Sequence, residues 1–336
     1  MAELASARII ARFRVGERQA GLRLDHFLKA QIPKLSRVRI QDAIRSRIEL
    51  PGRGRPKPAL VMHAGDLVLV RELVLDEPPF PAELTPVILH LDNDLVAVDK
   101  PAGLAVHATR RTVKNQLIRW LRDRYGESVA LAHRLDRETS GIVLSTRSSD
   151  AARALARDFA TGAVHKEYLA IVMGTTRLSF EVDAAVGQAR RSAVHIKQEA
   201  GVEGGLPART RFRTECTLDG GAMSLVRAFP ETGRRHQIRV HLALAGHPVV
   251  GDKLYARGER HFLNFMTGGM NARMLEELGA ARHLLHAARI EISNPRTGEI
   301  ANCAPPRGRM YEGMNYKLMR DCVEDFQRQG WERAPE

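Results

Sequence analysis

Leu131-Ala-His-Arg-Leu-Asp-Arg-Glu-Thr-Ser-Gly-Ile-Val-Leu144 is the stretch around which the rest of the chain is organised. Gly141 punctuates it, because glycine reaches backbone angles that other residues avoid, and the apolar run after it predicts a strand entering a core. Asp136 is therefore expected on a loop at the mouth of a sheet, where scaffolds often hold catalytic side chains. Arg134 and Arg137 would keep its carboxylate ionised, and such a carboxylate can act as a nucleophile or a base.

The same residues also fit a simpler interpretation. Arginines around an aspartate can form a solvated surface cluster, and Asp136 could equally cap a turn or a helix. Spacing alone favours this surface interpretation, since charged loop residues are mostly exposed. Further motifs in the chain therefore have to decide between a surface cluster and a catalytic loop.

Size and composition limit the class of protein. The 336 residues suffice for one large domain or two, and a hydrophobic content of 44% excludes a wholly disordered chain. No apolar run approaches the length of a membrane span, and the first residues lack the apolar stretch of a secretory signal. A cytoplasmic protein is the expectation.

The cysteines and one histidine pair were considered as metal ligands. Cys216, Cys303 and Cys322 lie far apart and form no Cys-x-x-Cys pair, so neither a disulfide framework nor a structural zinc site is expected. His283 and His286 stand three residues apart, but their surroundings indicate a strand and no third ligand is evident. We expect both histidines to be structural, and we predict no metal site.

The charge of the chain indicates a polyanionic partner. Lys and Arg outnumber Asp and Glu by 52 to 39, a net charge of +13, and nucleic acid is favoured over membrane because no basic amphipathic anchor is evident. Residues 1–75 hold 15 basic against 7 acidic residues, which is +8 of that total. So uneven a distribution favours a dedicated binding module over a generally basic surface.

The first 75 residues predict a small α/β module. In a helix over 37–46, Arg37 and Arg39 could lie along phosphates, contacts that give affinity with little sequence choice. The elements predicted around that helix are a strand from Ile9 to Val15, a helix over 22–28, a basic loop over 52–58 and a turn leading into a strand over 64–71, with Ser36 as the N-cap of the helix over 37–46. This pattern resembles the small RNA-binding module named after a small-subunit ribosomal protein.

A proline-rich segment, 76–86, predicts a linker, and a second domain is expected over 87–312. A C-terminal helix and tail are expected over 313–336. Predicted helices in the second domain are 112–125, 149–159 and 235–245, and predicted strands include 164–174, 209–218 and 222–229. The sequence therefore predicts an α+β protein, with a mixed or antiparallel sheet and flanking helices beside the small N-terminal module.

His133-Arg-Leu-Asp-Arg-Glu-Thr-Ser-Gly141 resembles the active-site signature of the RluA-type pseudouridine synthases. Other motifs resemble those of the same family and come in the same order. They are Lys100-Pro-Ala-Gly103 with His107, Lys166-Glu-Tyr168, Thr232-Gly-Arg-Arg-His-Gln-Ile-Arg239, Gly251 to Tyr255, Leu284 to Ala287, and Asn294 to Glu299. The resemblance covers nearly the whole chain.

The resemblance implies a reaction and a set of site residues. Uridine in RNA would be isomerised: the bond from C1′ to N1 breaks and C5 becomes attached to C1′, with no redox step, so no cofactor is expected. Asp136 would attack the sugar or remove a sugar proton, Arg239 would pair with Asp136, and Tyr168 would lie against the base. The residues expected to bind substrate are Arg37, Arg39, His133, Arg134, Lys166, Arg234 and His236.

The expected partner is RNA, and the N-terminal module favours large-subunit ribosomal RNA, with transfer RNA as an alternative. We expect a monomer that does not bind membranes. Two other functions were weighed. A non-catalytic RNA-binding or ribosome-assembly protein would explain the charge but not the three matching catalytic positions. A hydrolase of another anionic substrate would need a second positioned carboxylate or a metal site, and neither stands out in the sequence.

Overall fold

The computed structural model divides the chain into two compact units, residues 1–77 and 78–336. The boundary falls within the proline-rich segment 76–86. Among the helices that the structure describes, none is long and apolar enough to cross a membrane. The structure describes residues 9–33, 37–71, 80–107, 115–293 and 300–303, without the side chains of Val38, Arg39, Asp42 and residues 300–303.

The described residues of the N-terminal unit form a three-stranded antiparallel sheet with two α-helices. Its elements are β1 (Ile9–Arg14), α1 (Leu24–Gln31), α2 (Arg37–Ser46), β2 (Ile48–Glu49) and β3 (Leu67–Arg71), with the strands in the order β1-β3-β2. Leu24, Phe27 and Leu28 of α1 are buried on one face, as their spacing predicts. They pack with Ile40 and Ile44 of α2. The predicted helix over 37–46 is confirmed, while its expected N-cap residue lies outside the described residues.

Ten strands of the C-terminal unit form one mixed sheet. They are β4 (Val87–Leu91), β5 (Leu95–Lys100), β6 (Ala130–Leu131), β7 (Ser140–Thr146), β8 (His165–Met173), β9 (Ser179–Asp183), β12 (Arg209–Leu218), β13 (Met223–Pro230), β14 (Leu285–Ser293) and β15 (Ile300–Cys303). The main order is β4-β5-β7-β14-β8-β13-β12-β9, with β6 beside β7 and β15 beside β14. The pairing of β7 with β14 is parallel and the others are antiparallel. A short hairpin, β10 (Val186–Gln188) and β11 (Gln198–Ala200), stands apart.

Helices cover both faces of this sheet. They are α3 (Leu117–Tyr125), α4 (Ser149–Thr161), α5 (Gln237–Leu244), α6 (Arg260–Gly268) and α7 (Ala272–Leu278). Successive residues of a strand point to opposite faces, so Val98 of β5 packs with Leu121 of α3, while Ala97 packs with Leu155 of α4. The central strands are therefore buried on both sides, and the predicted α+β class is confirmed.

Gly141 lies where β7 meets β14, with Gly141 and Ala287 paired in parallel register. Its φ is +106°, and a Cβ atom there would lie 2.2 Å from the carbonyl oxygen of Ala287. Glycine is therefore required by both the backbone angle and the close approach of the neighbouring strand. Asp136 precedes this fixed point by five residues, so the strand pairing anchors the loop that carries it.

Three helices begin later than predicted. Helix α1, predicted over 22–28, begins at Leu24 because Arg23 has an extended backbone. Helix α3 begins at Leu117, because Gln116 has an extended backbone and the N–H of Leu117 donates to the carbonyl of Ala105 at 2.8 Å. Helix α5 begins at Gln237 because His236 adopts a left-handed backbone with φ of +57°. The motif from Asn294 to Glu299 and the helix and tail expected over 313–336 lie outside the described residues.

Candidate active site

Asp136 and Arg239 are far apart in sequence but meet at one end of the central strands. Asp136 lies in the loop between β6 and β7, and Arg239 lies on α5. Nη1 of Arg239 donates to Oδ2 of Asp136 at 2.7 Å. Every residue of α5 from Gln237 to Leu242 is buried, so this helix points its arginine inward. The pairing of these two residues is therefore a partly buried, charge-assisted contact.

Arg239 is held from its other side by Asp252. Its Nε and Nη2 donate to the two carboxylate oxygens of Asp252 at 2.7 and 2.9 Å, which is the bidentate geometry of a guanidinium with a carboxylate. Asp252 is fully buried, and it also accepts from the backbone N–H groups of Leu254 and Tyr255. The remaining end of the guanidinium is thereby aimed at Asp136.

The charges of the site keep Asp136 ionised. Burial opposes its negative charge, but the positive charge of Arg239 outweighs burial and holds the pKa of Asp136 well below its usual range. The same balance of burial against the charge of Arg239 lowers the pKa of Asp252 to about 2. Both carboxylates are therefore ionised at neutral pH, and Arg239 lies between two negative charges.

His236 forms another wall of the site. Its Nδ1 is 2.8 Å from the hydroxyl oxygen of Tyr255, and its Nε2 is 3.6 Å from Oδ1 of Asp136, which is beyond hydrogen-bonding distance. Burial, together with the charge of Arg239, lowers the pKa of His236 to about 3. The imidazole is therefore neutral at neutral pH and adds a polar wall rather than a second positive charge.

A cavity of about 400 Å³ opens over these groups, a volume within the usual range for small-ligand sites. Tyr168 of β8 lines it, and the residues opposite Tyr168 on the flanking strands are Ala228 and Ala287, whose small side chains leave space for the ring. Burial, aided by the charge of Asp136, raises the pKa of Tyr168, so its phenol stays protonated. Lys166 also lines the cavity and donates to the carbonyl of Thr232 at 3.3 Å.

The structure brings three more of the predicted residues to this cavity. Arg134 is exposed at its edge, and Arg234 donates from Nε to the carbonyl of Pro207 at 3.1 Å. His133 accepts the backbone N–H of Leu144 at 3.0 Å, and burial lowers its pKa to about 4. This histidine is therefore neutral and joins the loop to β7 as well as lining the cavity.

Arg37 and Arg39 belong to the N-terminal unit. Arg37 is exposed on α2, and its Nη2 lies 2.8 Å from Nε2 of His26 on α1. The side chain of Arg39 lies outside the described residues. The seven residues expected to bind substrate are thus divided, five at the cavity and two in the smaller unit.

The backbone of the Asp136 loop is held by a buried lysine. Nζ of Lys100 donates to the carbonyls of Pro101, Leu104 and Arg137, and the N–H of Gly103 donates to the Arg137 carbonyl as well. Burial lowers the pKa of Lys100 to about 7. The Lys-Pro-x-Gly motif therefore fixes the main chain one residue after Asp136.

The two histidines expected to be structural contact the end of this loop and the first residue of β7. His283 lies 2.7 Å from the hydroxyl of Thr139, and His286 lies 3.0 Å from the hydroxyl of Ser140. Within the part of the chain that the structure describes, no cluster of three His, Cys, Asp or Glu residues could hold a metal ion. Both imidazoles therefore hold the start of β7 through contacts with the hydroxyl groups of Thr139 and Ser140.

Sequence reasoning assigned no role to several residues that complete the site. Asp252 and Tyr255 stand in the Gly251–Tyr255 motif, but the motif alone does not connect them to Arg239 or His236. Glu138 stands in the signature itself, and its partner Lys253 follows Asp252. A buried arginine must be paired with a counter-charge, so a carboxylate partner for Arg239 could be expected once its burial was known, but the sequence does not say which residue supplies it.

Comparisons with known proteins show which enzymes this chain is similar to. The sequence profile of the RNA pseudouridylate synthases matches residues 94–244. Ribosomal large subunit pseudouridine synthase C of Escherichia coli (strain K12) is 32% identical over 336 residues, which cover 95% of this chain and 98% of that protein. Ribosomal large subunit pseudouridine synthase D of Nitrosomonas europaea is 31% identical, covering 85% and 81% respectively.

A solved human structure extends the likeness to three dimensions. RNA Pseudouridylate Synthase Domain Containing 1 is 26% identical, with a TM-score of 0.54, and the match covers 68% of this chain and 86% of that one. The sequence identity, the coverage and the fold therefore point to the same group of enzymes. This chain belongs to the RluA-type family of RNA pseudouridine synthases.

Proposed function

We propose that this protein converts uridine to pseudouridine in large-subunit ribosomal RNA, with Asp136 as the catalytic carboxylate. The observation that carries the proposal is the 2.7 Å contact between Arg239 and Asp136 at the base of a cavity lined by basic residues. In the reaction, the C1′–N1 bond breaks, a C1′–C5 bond forms, and the proton lost from C5 is balanced by one gained at N1. The isomerisation is therefore neutral in electrons and protons.

An ionised carboxylate serves either route to this product. Asp136 can attack the sugar at C1′ as a nucleophile, or it can remove a proton from the sugar as a base. Both routes need the charged form, which Arg239 maintains. Because Asp252 shares the guanidinium, Arg239 can orient Asp136 without neutralising it completely.

Tyr168 and the basic residues bind the substrate in this proposal. A tyrosine ring can stack on a base, and such stacking contributes about 1–3 kcal/mol. Its neutral phenol can also donate or accept a hydrogen bond. Lys166, Arg134 and Arg234 line the cavity, and contacts from them to phosphates would offset the few kcal/mol that turning a base out of its stack costs.

The proposed RNA target rests on the relatives and on the N-terminal unit. The two bacterial relatives are named for the large ribosomal subunit, and the first matches nearly the whole length of this chain. Arg37 of the N-terminal unit is exposed, as a phosphate contact requires. The monomeric state and the cytoplasmic location stay predictions.

The test is to incubate the purified protein with unmodified large-subunit ribosomal RNA and, separately, with unmodified transfer RNA. Pseudouridines are then mapped at nucleotide resolution. We expect conversion at discrete uridines of the ribosomal RNA only. Conversion of transfer RNA alone would refute the proposed target, and no pseudouridine in either RNA would refute the proposed activity.

A further inference from the structure

Glu138, in the loop that carries Asp136, forms an ion pair with Lys253. Nζ of Lys253 lies 2.8 and 2.9 Å from the two carboxylate oxygens of Glu138, and it also donates to the carbonyl of Ala281 at 2.8 Å. Only 4% of the Lys253 side chain is exposed, against 28% for Glu138. Nothing in the proposed reaction uses this pair, although Glu138 is two residues from Asp136.

Glu138 is held by more than one group. Its carboxylate lies 3.5 Å from Nδ1 of His283, and its backbone carbonyl accepts a hydrogen bond from Arg282. Burial opposes its charge, but the contact with His283 and the charge of Lys253 outweigh burial and hold the pKa of Glu138 at about 2. The carboxylate is therefore charged at neutral pH, and the ion pair with Lys253 is intact.

Lys253 is adjacent in sequence to a residue that holds the catalytic pair. Lys253 directly follows Asp252, which holds Arg239 through two hydrogen bonds. Two consecutive residues therefore contact the two sides of the catalytic pair. Asp252 binds the guanidinium of Arg239, and Lys253 binds Glu138 in the loop that carries Asp136. Their common backbone is itself fixed, since a Cβ atom on Gly251 would lie 1.8 Å from the carbonyl oxygen of Arg282.

We propose that Lys253 is a positioning residue for pseudouridine formation, setting the distance between Asp136 and Arg239 through its ion pair with Glu138. This inference rests on the proposed function. A lysine–glutamate pair of this kind adds little net stability, because removing two charges from water offsets most of their attraction. Its effect is expected in geometry, where an error of about 1 Å can cost about 100-fold in rate.

The test compares Lys253→Met and Glu138→Gln with the unaltered protein and with Lys253→Arg. The measurements are the single-turnover rate constant of pseudouridine formation at saturating RNA, the Kd for RNA, and the folded fraction from circular dichroism. Both single variants should lower the rate constant per folded molecule by about 10- to 100-fold while leaving the Kd unchanged. Lys253→Arg, which restores the charge, should recover most of the rate.

Two further variants keep the test decisive. Glu138→Gln/Lys253→Met leaves no uncompensated charge, so it should fold even if a single variant does not, and its rate should match that of the singles rather than their product. Glu277→Gln is the matched control, because that carboxylate contacts His261 and Arg273 at similar exposure but lies on α7. The control should keep the normal rate.

The outcomes separate the two proposals. If the unaltered protein forms no pseudouridine, the proposed function fails. If it does, and the variants react at the normal rate per folded molecule, or lose only RNA affinity, the positioning role of Lys253 is wrong. The positioning role is supported if Lys253→Met, Glu138→Gln and their double variant all lose rate, while Lys253→Arg recovers it and Glu277→Gln keeps it.

Discussion

Removing the charge of Arg239 should move the ionisation of Asp136 into a range of pH that activity can report. The suitable change is Arg239→Gln together with Asp252→Asn. Replacing the arginine alone would leave Asp252 buried without a counter-charge, at a cost of about 3–5 kcal/mol of stability. The double variant removes one positive and one negative charge together, so the net charge of the site is unchanged, and both new side chains can still form hydrogen bonds.

The magnitude follows from the 2.7 Å separation of Nη1 of Arg239 and Oδ2 of Asp136. At an effective dielectric constant of about 20, unit charges at this distance attract by about 6 kcal/mol, equivalent to about four pH units. Because 20% of the Asp136 side chain is exposed, solvent screening lowers the effect to about two to three units. Without the arginine, burial dominates and the pKa of Asp136 should exceed its ordinary value of about 3.9.

The assay is the single-turnover rate constant between about pH 3.5 and pH 8, a window that includes the ordinary pKa of an aspartate. The carboxylate is the active form, so the rate of the double variant should fall as pH drops through the raised pKa of Asp136. The unaltered protein should show no such fall from Asp136, because its depressed pKa lies below this window. If the variant is too slow to follow, the carboxyl ¹³C shift of Asp136 reports the same pKa. An unchanged titration of Asp136 in the variant would refute the role given to Arg239.

Three other outcomes are expected. Gly251→Ala should lower the free energy of unfolding by about 1–3 kcal/mol, because its Cβ would meet the carbonyl of Arg282 at a φ of +79°. The control is Gly246→Ala, which has a φ of +85° and open space around its Cβ, so it should lower the free energy of unfolding by less in the same thermal melt. Tyr168→Phe should keep RNA affinity but lower the rate if the phenol moves a proton, and an unchanged rate would limit Tyr168 to stacking. Deleting residues 1–77 should raise the Kd for RNA and flatten its salt dependence, whereas an unchanged salt slope would contradict an RNA-binding role for that unit.

Much of the fold followed from local pattern. The apolar run after Gly141 predicted β7, and Ser149 was correctly placed as the first residue of a helix, because alternation and capping are written in consecutive residues. The start of α5 was wrong by two residues. His236 has a left-handed backbone, and its side chain contacts residues distant in sequence, including the hydroxyl of Tyr255. The local sequence does not predict this conformation.

The site was predictable in part for a similar reason. Asp136 and Arg239 could be paired through the motifs that carry them, although 103 positions separate them. The roles of Asp252 and Lys253 could not, because they depend on where the chain returns after α5 to meet the guanidinium and the loop. An arginine-bearing helix usually has a solvated face, whereas α5 is buried on every side from Gln237 to Leu242. Only the packing around it reveals the second carboxylate, Asp252.

The catalytic role of Asp136 is tested most directly by Asp136→Asn, which keeps the shape of the side chain and removes its charge. The measurement is pseudouridine formation in large-subunit ribosomal RNA under single-turnover conditions, with RNA binding followed in parallel. The account predicts that the variant binds RNA and forms no detectable pseudouridine. Product formation at a rate close to that of the unaltered protein would contradict it.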